Sequence, residues 1–177
     1  MGQYYVIANI DKKEYINPSH LGSGIKLMEF AMDGQSAMTG LAVLLASSNG
    51  KGGGDLHVPA GSEFAHIPGR WAGDRIVVAG DYDDVPSSPG YKVYDLCRNV
   101  PPLQELAEAA GEAGDSATFK NISYDVLGCL LEDHGFRHSF VTVEGDSAAT
   151  WTQYVKGQRR DSWKAARPND PIPTELS

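Results

Sequence analysis

The sequence predicts a single α+β domain, with a mostly antiparallel sheet and two to four helices packed on it. The chain has 177 residues, 41% of them hydrophobic, and this size and composition suit one ordinary core. Its 20 glycines and 10 prolines favour turns and short elements over a helical bundle. We expect the domain to span residues 1–166. Residues 167–177 contain three prolines and little apolar content, which predicts a flexible C-terminal tail.

The first quarter of the chain predicts a β-hairpin followed by two helices. Residues 3–10 and 14–16 are rich in β-branched and aromatic side chains and flank a turn-like Asp-Lys-Lys, which indicates two paired strands. Residues 25–32 show helical spacing. The predicted inner stripe of this helix consists of Ile25, Met28 and Met32, and Leu27 and Phe30 widen it. The run 39–46 is rich in leucine and alanine, so we expect a buried helix that begins near Ser36.

The middle of the chain predicts irregular structure with two strands. Residues 47–55 contain too many glycines to hold a helix or a strand, so they must form a loop. Residues 56–70 are broken by prolines and glycines and are expected to be irregular. Residues 71–81 predict the clearest strand, centred on residues 75–79, and we expect it at the centre of the sheet. Residues 91–96 alternate in polarity as another strand would.

The second half predicts two helices and two further strands. Two prolines precede a helix that is expected to run from Leu103 to about Ala110. Ser123 is expected to cap the most strongly periodic helix, which closes near Gly135. The inner face of that helix is predicted to hold Val126, Leu127, Leu130 and Leu131. Residues 139–144 and 150–155 alternate in polarity and are interpreted as strands.

Composition excludes several classes of function. The formal charge of −8 disfavours a protein that grips nucleic acid through phosphate contacts. Solubility explains this acidity better than mimicry of DNA, because the acidic residues are scattered. The start lacks the pattern of a secretory signal and no apolar run could span a bilayer, so a cytoplasmic location is expected. Cys97 and Cys129 show no pairing or metal-ligand spacing and are interpreted as buried free thiols.

The candidate working surface is the glycine-rich segment from Asn49 to Asp55. Its backbone N–H groups lie beside the cation of Lys51, a combination that can cradle a phosphate or another anion. A true P-loop would place Lys after the glycines and follow it with Ser or Thr, and this segment does neither. The alternative is a plain surface connection.

Trp71 and Arg75 extend this hypothetical ligand site. An indole can stack on a base or a sugar, and a guanidinium can contact a phosphate. The alternative for Trp71 is a core anchor of the strand that follows it, which we favour. The predicted ligand-binding residues are Asn49, Lys51, Gly52, Gly53, Gly54, Asp55, Trp71 and Arg75.

Acidic residues after the 75–79 strand raise the question of a metal site. Asp81 and Asp83 fall on one face of an extended chain, and their oxygens could hold Mg²⁺ or Ca²⁺. The alternative is an acidic strand end that leads into a loop. A hydrolase built here would add Asp55, with His57 or His66 as the general base. No motif assigns a catalytic residue or a cofactor beyond this hypothesis.

Three strings in the first half of the chain resemble a family of small phage and bacterial proteins. They are MGQYY with DKKE at residues 1–5 and 11–14, NGKGGGDL at 49–56 and WAGDRI at 71–76, so the resemblance extends to about Asp81. No activity is established for the family, and the resemblance therefore implies no catalytic residue. It implies an accessory role in the host-cell cytoplasm, in which the protein binds a host molecule or a signalling nucleotide.

Three functions follow from these observations, in order of preference. The first is a small-molecule-binding accessory protein that recognises an anionic or nucleotide-like ligand through the glycine-rich loop. The second is an inhibitor or assembly factor that binds a host protein through a flat interface, without catalysis. The third is the metal-dependent hydrolase. The sequence leaves an oligomeric state open.

Overall fold

The computed structural model describes residues 2–32, 36–83, 92–97, 119–143 and 149–177. It confirms the predicted α+β class: a four-stranded, mostly antiparallel sheet packs with six α-helices in the described part of the chain. The helices exceed the expected two to four because several segments interpreted as strands are helical. The helix predicted from Leu103 to Ala110 lies outside the described residues.

The sheet has the strand order β3-β1-β2-β4. Its strands are β1 (Tyr5–Asn9), β2 (Glu14–Ile16), β3 (Ile76–Gly80) and β4 (Lys120–Asn121). The hairpin of β1 and β2 is confirmed, whereas β3 lies at an edge and the prediction of a central strand is wrong. Strand β1 takes the centre because it pairs antiparallel on both sides. Strand β4 joins β2 in parallel.

Two helices follow the hairpin as predicted, α1 (Leu27–Ala31) and α2 (Ala37–Leu45). The predicted inner stripe of α1 is wrong at Met28 and Met32, which are 62% and 77% exposed, whereas Phe30, which was predicted to widen the stripe, is buried. A helix of five residues has little room for a stripe, and the large Phe30 side chain takes the core-facing position. Helix α2 begins next to Ser36 as predicted, but it is buried on one face only, at Ala37, Gly40 and Leu44.

Segments interpreted as strands in the second half are helices. The described part of 91–96 contains α3 (Val93–Leu96), residues 139–141 belong to α5 (His134–Val141), and residues 150–155 belong to α6 (Ala149–Ala166). The strand predictions are wrong because tertiary packing overrides local strand preference. In α6 a helical period of buried residues continues to its end.

Helix α4 (Ser123–Leu130) is confirmed as the strongly periodic helix, but it ends well before Gly135. Ser123 is its first helical residue. The Ser123 hydroxyl accepts a hydrogen bond from the backbone N–H of Asn17 at 2.8 Å. The next helix, α5, starts anew because the side chain of Asp133 caps it, accepting from the N–H of Phe136 at 3.0 Å.

Side chains on the two faces of the sheet enter two different apolar clusters. Ile7 of β1 joins the larger cluster with the helices, while its neighbours Val6 and Ala8 join a smaller one on the opposite face. The cysteines are free and buried as predicted, one in each cluster. Burial, with a contribution from Glu132, raises the pKa of Cys129 to about 12.

The C-terminal residues 167–177 were expected to be a flexible tail, whereas the structure docks them on the core. Arg167 donates from Nη2 to Oε1 of Glu132 at 2.6 Å and to the carbonyl of Gly128 at 3.1 Å. Ile172 packs against the larger cluster, and Leu176 is buried within it. Burial of these two apolar side chains stabilises the docked segment, although few of its residues are apolar.

A buried carboxylate links the hairpin to the irregular segment 56–75. Glu14 is 5% exposed. Its Oε2 accepts from Nε of Arg70 and from Nε1 of Trp71, each at 2.9 Å, and its Oε1 pairs with the Arg70 guanidinium. Trp71 is fully buried, which confirms the core-anchor interpretation of this residue. Burial raises the pKa of Glu14, but the Arg70 and Trp71 hydrogen bonds outweigh it and leave the pKa below its usual value.

We predict that Glu14→Gln lowers the free energy of unfolding by about 2 to 3 kcal/mol at pH 7, because it leaves Arg70 without its carboxylate. Because the pKa of Glu14 is lower in the folded state than in the unfolded state, its ionised carboxylate stabilises the fold at pH values above 4.5, the ordinary pKa. This stabilisation is lost as the pH falls through the folded-state pKa. Urea titrations at several pH values should therefore show the difference between variant and wild type shrinking in acid. Glu63→Gln, at an exposed site, is the control. An unchanged difference at all pH values would contradict this account.

Candidate functional site

The glycine-rich loop has the irregular structure that the sequence predicts, and it closes on itself. The Asn49 side chain clamps its ends: Oδ1 accepts from the N–H of Leu56 at 3.0 Å, and Nδ2 donates to the Leu56 carbonyl at 2.9 Å. Residues 50–55 are exposed. A Cβ added at any of the four glycines would meet no atom within 4 Å, so the loop stands open to solvent.

An anion of the protein itself, the Asp55 carboxylate, occupies two backbone donors of this loop. Oδ2 of Asp55 accepts from the N–H of Lys51 at 2.6 Å and from the N–H of Gly52 at 3.0 Å. These are donors that the sequence assigned to a ligand anion, and such a ligand would have to displace Asp55. Neither of the two cavities described below is lined by a loop residue.

The other predicted ligand residues are engaged elsewhere. Trp71 is in the core with Glu14, as described above. Arg75 pairs with Asp11, with Nε donating to Oδ1 at 2.8 Å and the backbone N–H to Oδ2 at 2.7 Å. The structure therefore assigns separate partners to the loop, to Trp71 and to Arg75.

The carboxylate of Asp81 has a structural role after β3, and the backbone of Asp83 closes a turn there. Oδ1 of Asp81 accepts from the backbone N–H of Tyr4 at 3.0 Å, and the N–H of Asp83 donates to the carbonyl of Gly80 at 3.1 Å. Of the two histidines proposed as bases, His66 has a ring contact, with Nδ1 2.8 Å from the Glu63 carbonyl. At His57 it is the backbone N–H that donates, to Oδ2 of Asp133 at 3.1 Å. Within the described residues, no group of three or more His, Cys, Asp or Glu side chains is arranged to hold a metal ion.

A cavity of about 1080 Å³ lies on a different part of the molecule, between residues 19–29 and α6. We call it the α6 groove. One wall comes from Ser19, Gly22–Ile25 and Glu29, the floor from His138, Ser139, Thr142 and Val143, and the other wall from Thr150–Thr152, Tyr154, Val155, Gln158 and Arg159. Its volume is at the upper end of ligand-binding cavities.

Two aromatic rings dominate the α6 wall of the groove. Trp151 and Tyr154 stack with ring centroids 5.4 Å apart and an angle of 30° between their planes, and each residue is 53% exposed. Nε2 of Gln158 donates to the Tyr154 hydroxyl at 2.7 Å. Spacings of three and four residues place all three side chains on one face of the helix. The groove therefore has an orientated aromatic surface that is accessible to solvent.

The charged residues of the groove contribute to its walls. Nη1 of Arg159 donates to the carbonyls of Ser139 and Phe140, at 3.3 and 2.9 Å, which joins α6 to the floor. The Glu29 carboxylate accepts from the N–H of Lys26 at 3.1 Å. Gly24 is required beside it, because a Cβ at this position would overlap the Glu29 side chain.

Sequence reasoning missed this site because it interpreted 139–144 and 150–155 as strands. The threonines at 150 and 152 suggested a strand. Helical spacing is the signal that could have revealed this helix. Trp151, Tyr154, Gln158 and the buried Ser162 follow one another at intervals of three or four residues.

Comparisons with protein-family models, curated proteins and solved structures find no match to this chain. The groove must therefore be interpreted from its own chemistry. None of the helices in the described ranges has the length and apolar character needed to cross a membrane.

We predict that Asp55→Ala speeds amide hydrogen exchange at Lys51 and Gly52, because both N–H groups lose their carboxylate acceptor. Hydrogen exchange followed by NMR would measure this. Lys51→Gln is the matched control, since it removes the exposed amine and keeps the backbone donors. Equal exchange rates in wild type and Asp55→Ala would show that Asp55 does not close the loop.

Proposed function

We propose that this protein binds an uncharged small molecule that carries a ring and hydroxyl groups, such as a nucleoside or a sugar, in the α6 groove. The observation that carries this proposal is the solvent-exposed stack of Trp151 and Tyr154 along the wall of a 1080 Å³ cavity. Concave sites with aromatic walls and a few convergent polar groups are typical of small-molecule binding.

The aromatic pair favours a ligand with a flat or ring-shaped apolar face. Trp151 and Tyr154 are half exposed, so a ring laid against them would remove apolar surface from water. Stacking of a nucleic-acid base on an aromatic side chain is worth about 1 to 3 kcal/mol. The hydrogen bond from Gln158 fixes the Tyr154 hydroxyl, which reduces the rotamer freedom that binding would otherwise remove.

The polar lining favours hydroxyl groups over an anion. Serine and threonine hydroxyls can both donate and accept, as the hydroxyls of a sugar do. Six residues with such hydroxyls line the groove, although the Ser19 hydroxyl donates to Asn17 and the Ser23 hydroxyl accepts from the N–H of Ala37: they are Ser19, Ser23, Ser139, Thr142, Thr150 and Thr152. The basic residues among the described lining residues are His138 and Arg159, and the latter donates to the carbonyls of Ser139 and Phe140. We therefore favour the uncharged part of a nucleotide-like ligand over the anionic ligand that the sequence suggests.

We predict that a binding nucleoside or monosaccharide raises Tm by about 3 to 6 °C at ten times its Kd. Thermal unfolding with a millimolar panel of neutral nucleosides and sugars would measure this. Trp151→Ala and Tyr154→Ala should remove the shift. Tyr82→Ala is the matched control, because Tyr82 is similarly exposed and does not line the groove.

Two results would overturn the proposal. One is a panel in which no compound shifts Tm. The other is a shift that persists in the double variant of Trp151 and Tyr154, since this would place the ligand outside the groove.

An exposed apolar surface on α1 and α2 favours binding of a host protein as a second candidate function. The two helices pack together, and large apolar side chains of both face solvent. These are Leu27 and Met28 of α1, Met32 directly after it, and Met38 and Leu45 of α2. Methionine side chains adapt to differently shaped partners, and clusters of exposed apolar residues are common at protein interfaces.

We predict that the double variant Met28→Lys and Met32→Lys loses a protein that co-purifies with the wild type from host-cell lysate. Two charges on the surface would oppose burial against an apolar partner. Mass spectrometry of the eluates would identify the difference, with Tyr82→Lys as the exposed control. Identical sets of co-purifying proteins in all three samples would reject this candidate.

A further inference from the structure

A second cavity, of about 410 Å³, lies next to the α6 groove and is lined by tyrosines. We call it the tyrosine cavity. Its four aromatic residues are Tyr4, Tyr5, Tyr15 and Tyr94. No charged side chain is among its described lining residues. Tyr4 supplies the most accessible ring, because it is 42% exposed whereas Tyr94 is buried and the Tyr5 hydroxyl donates to Oε1 of Gln3 at 2.7 Å.

The tyrosine cavity and the α6 groove share two lining residues, Ser19 and Ile25. This shared border is held to the sheet and to its own turn. The Ile25 carbonyl accepts from the N–H of Tyr5 at 2.9 Å, and Oδ1 of Asn17 accepts from the N–H and the hydroxyl of Ser19, at 3.1 and 3.0 Å. The two cavities therefore meet at a fixed border, with aromatic rings beyond it on each side.

We propose that the two cavities form one extended surface that binds a linear, uncharged oligosaccharide. This inference rests on the proposed function and names its ligand class. One sugar unit stacks on Trp151 and Tyr154, the chain crosses the border at Ser19 and Ile25, and further units contact Tyr4 and its neighbours in the tyrosine cavity. Separate aromatic surfaces suit a ligand whose rings repeat along a chain, whereas a single nucleoside fills only one of them.

Charge and hydrogen-bonding capacity select the oligosaccharide over other chain-like ligands. Single-stranded nucleic acid requires a positively charged groove that follows its backbone, but the described lining of both cavities has His138 and Arg159 as its basic residues and the chain carries −8. Proline-rich peptides do bind in aromatic-lined grooves. They present few donors, however, and would desolvate the serine and threonine hydroxyls without replacing their hydrogen bonds to water.

The test is calorimetric titration of the full chain with neutral oligosaccharides of one to six units. Three series serve as probes: β-1,4-linked glucose, α-1,4-linked glucose and β-1,4-linked N-acetylglucosamine. We expect Kd in at least one series to fall at least tenfold from the single sugar to the tetramer, because the added units reach the tyrosine cavity.

Two variants locate the effect. Tyr4→Ala should remove the gain with chain length and leave binding of the single sugar unchanged, and the exposure of Tyr4 makes the substitution tolerable to the fold. Trp151→Ala should weaken binding of every length. Tyr82→Ala, exposed and outside both cavities, should change neither.

Several outcomes would overturn the inference. If a single sugar or a nucleoside binds in the groove but no series gains affinity with length, the oligosaccharide is wrong while the proposed function stands. The same holds if the gain with length survives Tyr4→Ala. Preferential binding of an oligothymidylate or a polyproline peptide, included as competitors, would identify another class of ligand. If no compound of either panel binds, the proposed function fails as well.

Discussion

The paired carboxylate of Glu14 is the constraint from which much of the structure follows. A charge buried in the second strand of a hairpin is tolerable only when it is paired and hydrogen-bonded, and Arg70 and Trp71 supply those partners from a distant segment. That segment has no helix or strand between α2 and β3, so side-chain contacts must fix its course. The chain after β2 leads directly into the turn that borders both cavities, and a fixed β2 therefore also positions the border at Ser19.

The charged and the uncharged side chains of the groove have different roles. Arg159 and Glu29 are charged, yet their hydrogen bonds with the backbone build the walls. Close approach of those walls depends on small residues: Gly22 has a positive φ of 77° and lies where a Cβ would be 3.1 Å from Arg159. Because these charged side chains form hydrogen bonds with the backbone, the groove presents mainly aromatic rings and hydroxyl groups to solvent. This is the physical reason why we propose an uncharged ligand.

Local pattern was sufficient wherever one periodicity dominated. The hairpin, α2 and α4 were predictable because alternation or helical spacing agrees with their final packing. Strand β3 was recognised, but its place at an edge depends on what β1 pairs with. Helix α6 was missed because the threonines near its start favour a strand, while the buried residues that make it a helix come later. For the site, composition drew attention to the glycine-rich loop. It could not show that Asp55 closes this loop, nor that Trp151 and Tyr154 line a cavity.

The parallel pairing of β2 with β4 has a consequence for the order in which the protein folds. The hairpin of β1 and β2 is local and can form within microseconds. The hydrogen bond between Asn17 and Ser123 joins residues that are 106 positions apart, so it forms only when a long loop closes. Contacts between residues close in sequence do not offset the entropy cost of that closure. That contact anchors the same turn that carries Ser19. We therefore expect the border between the two cavities to be completed after the hairpin has formed.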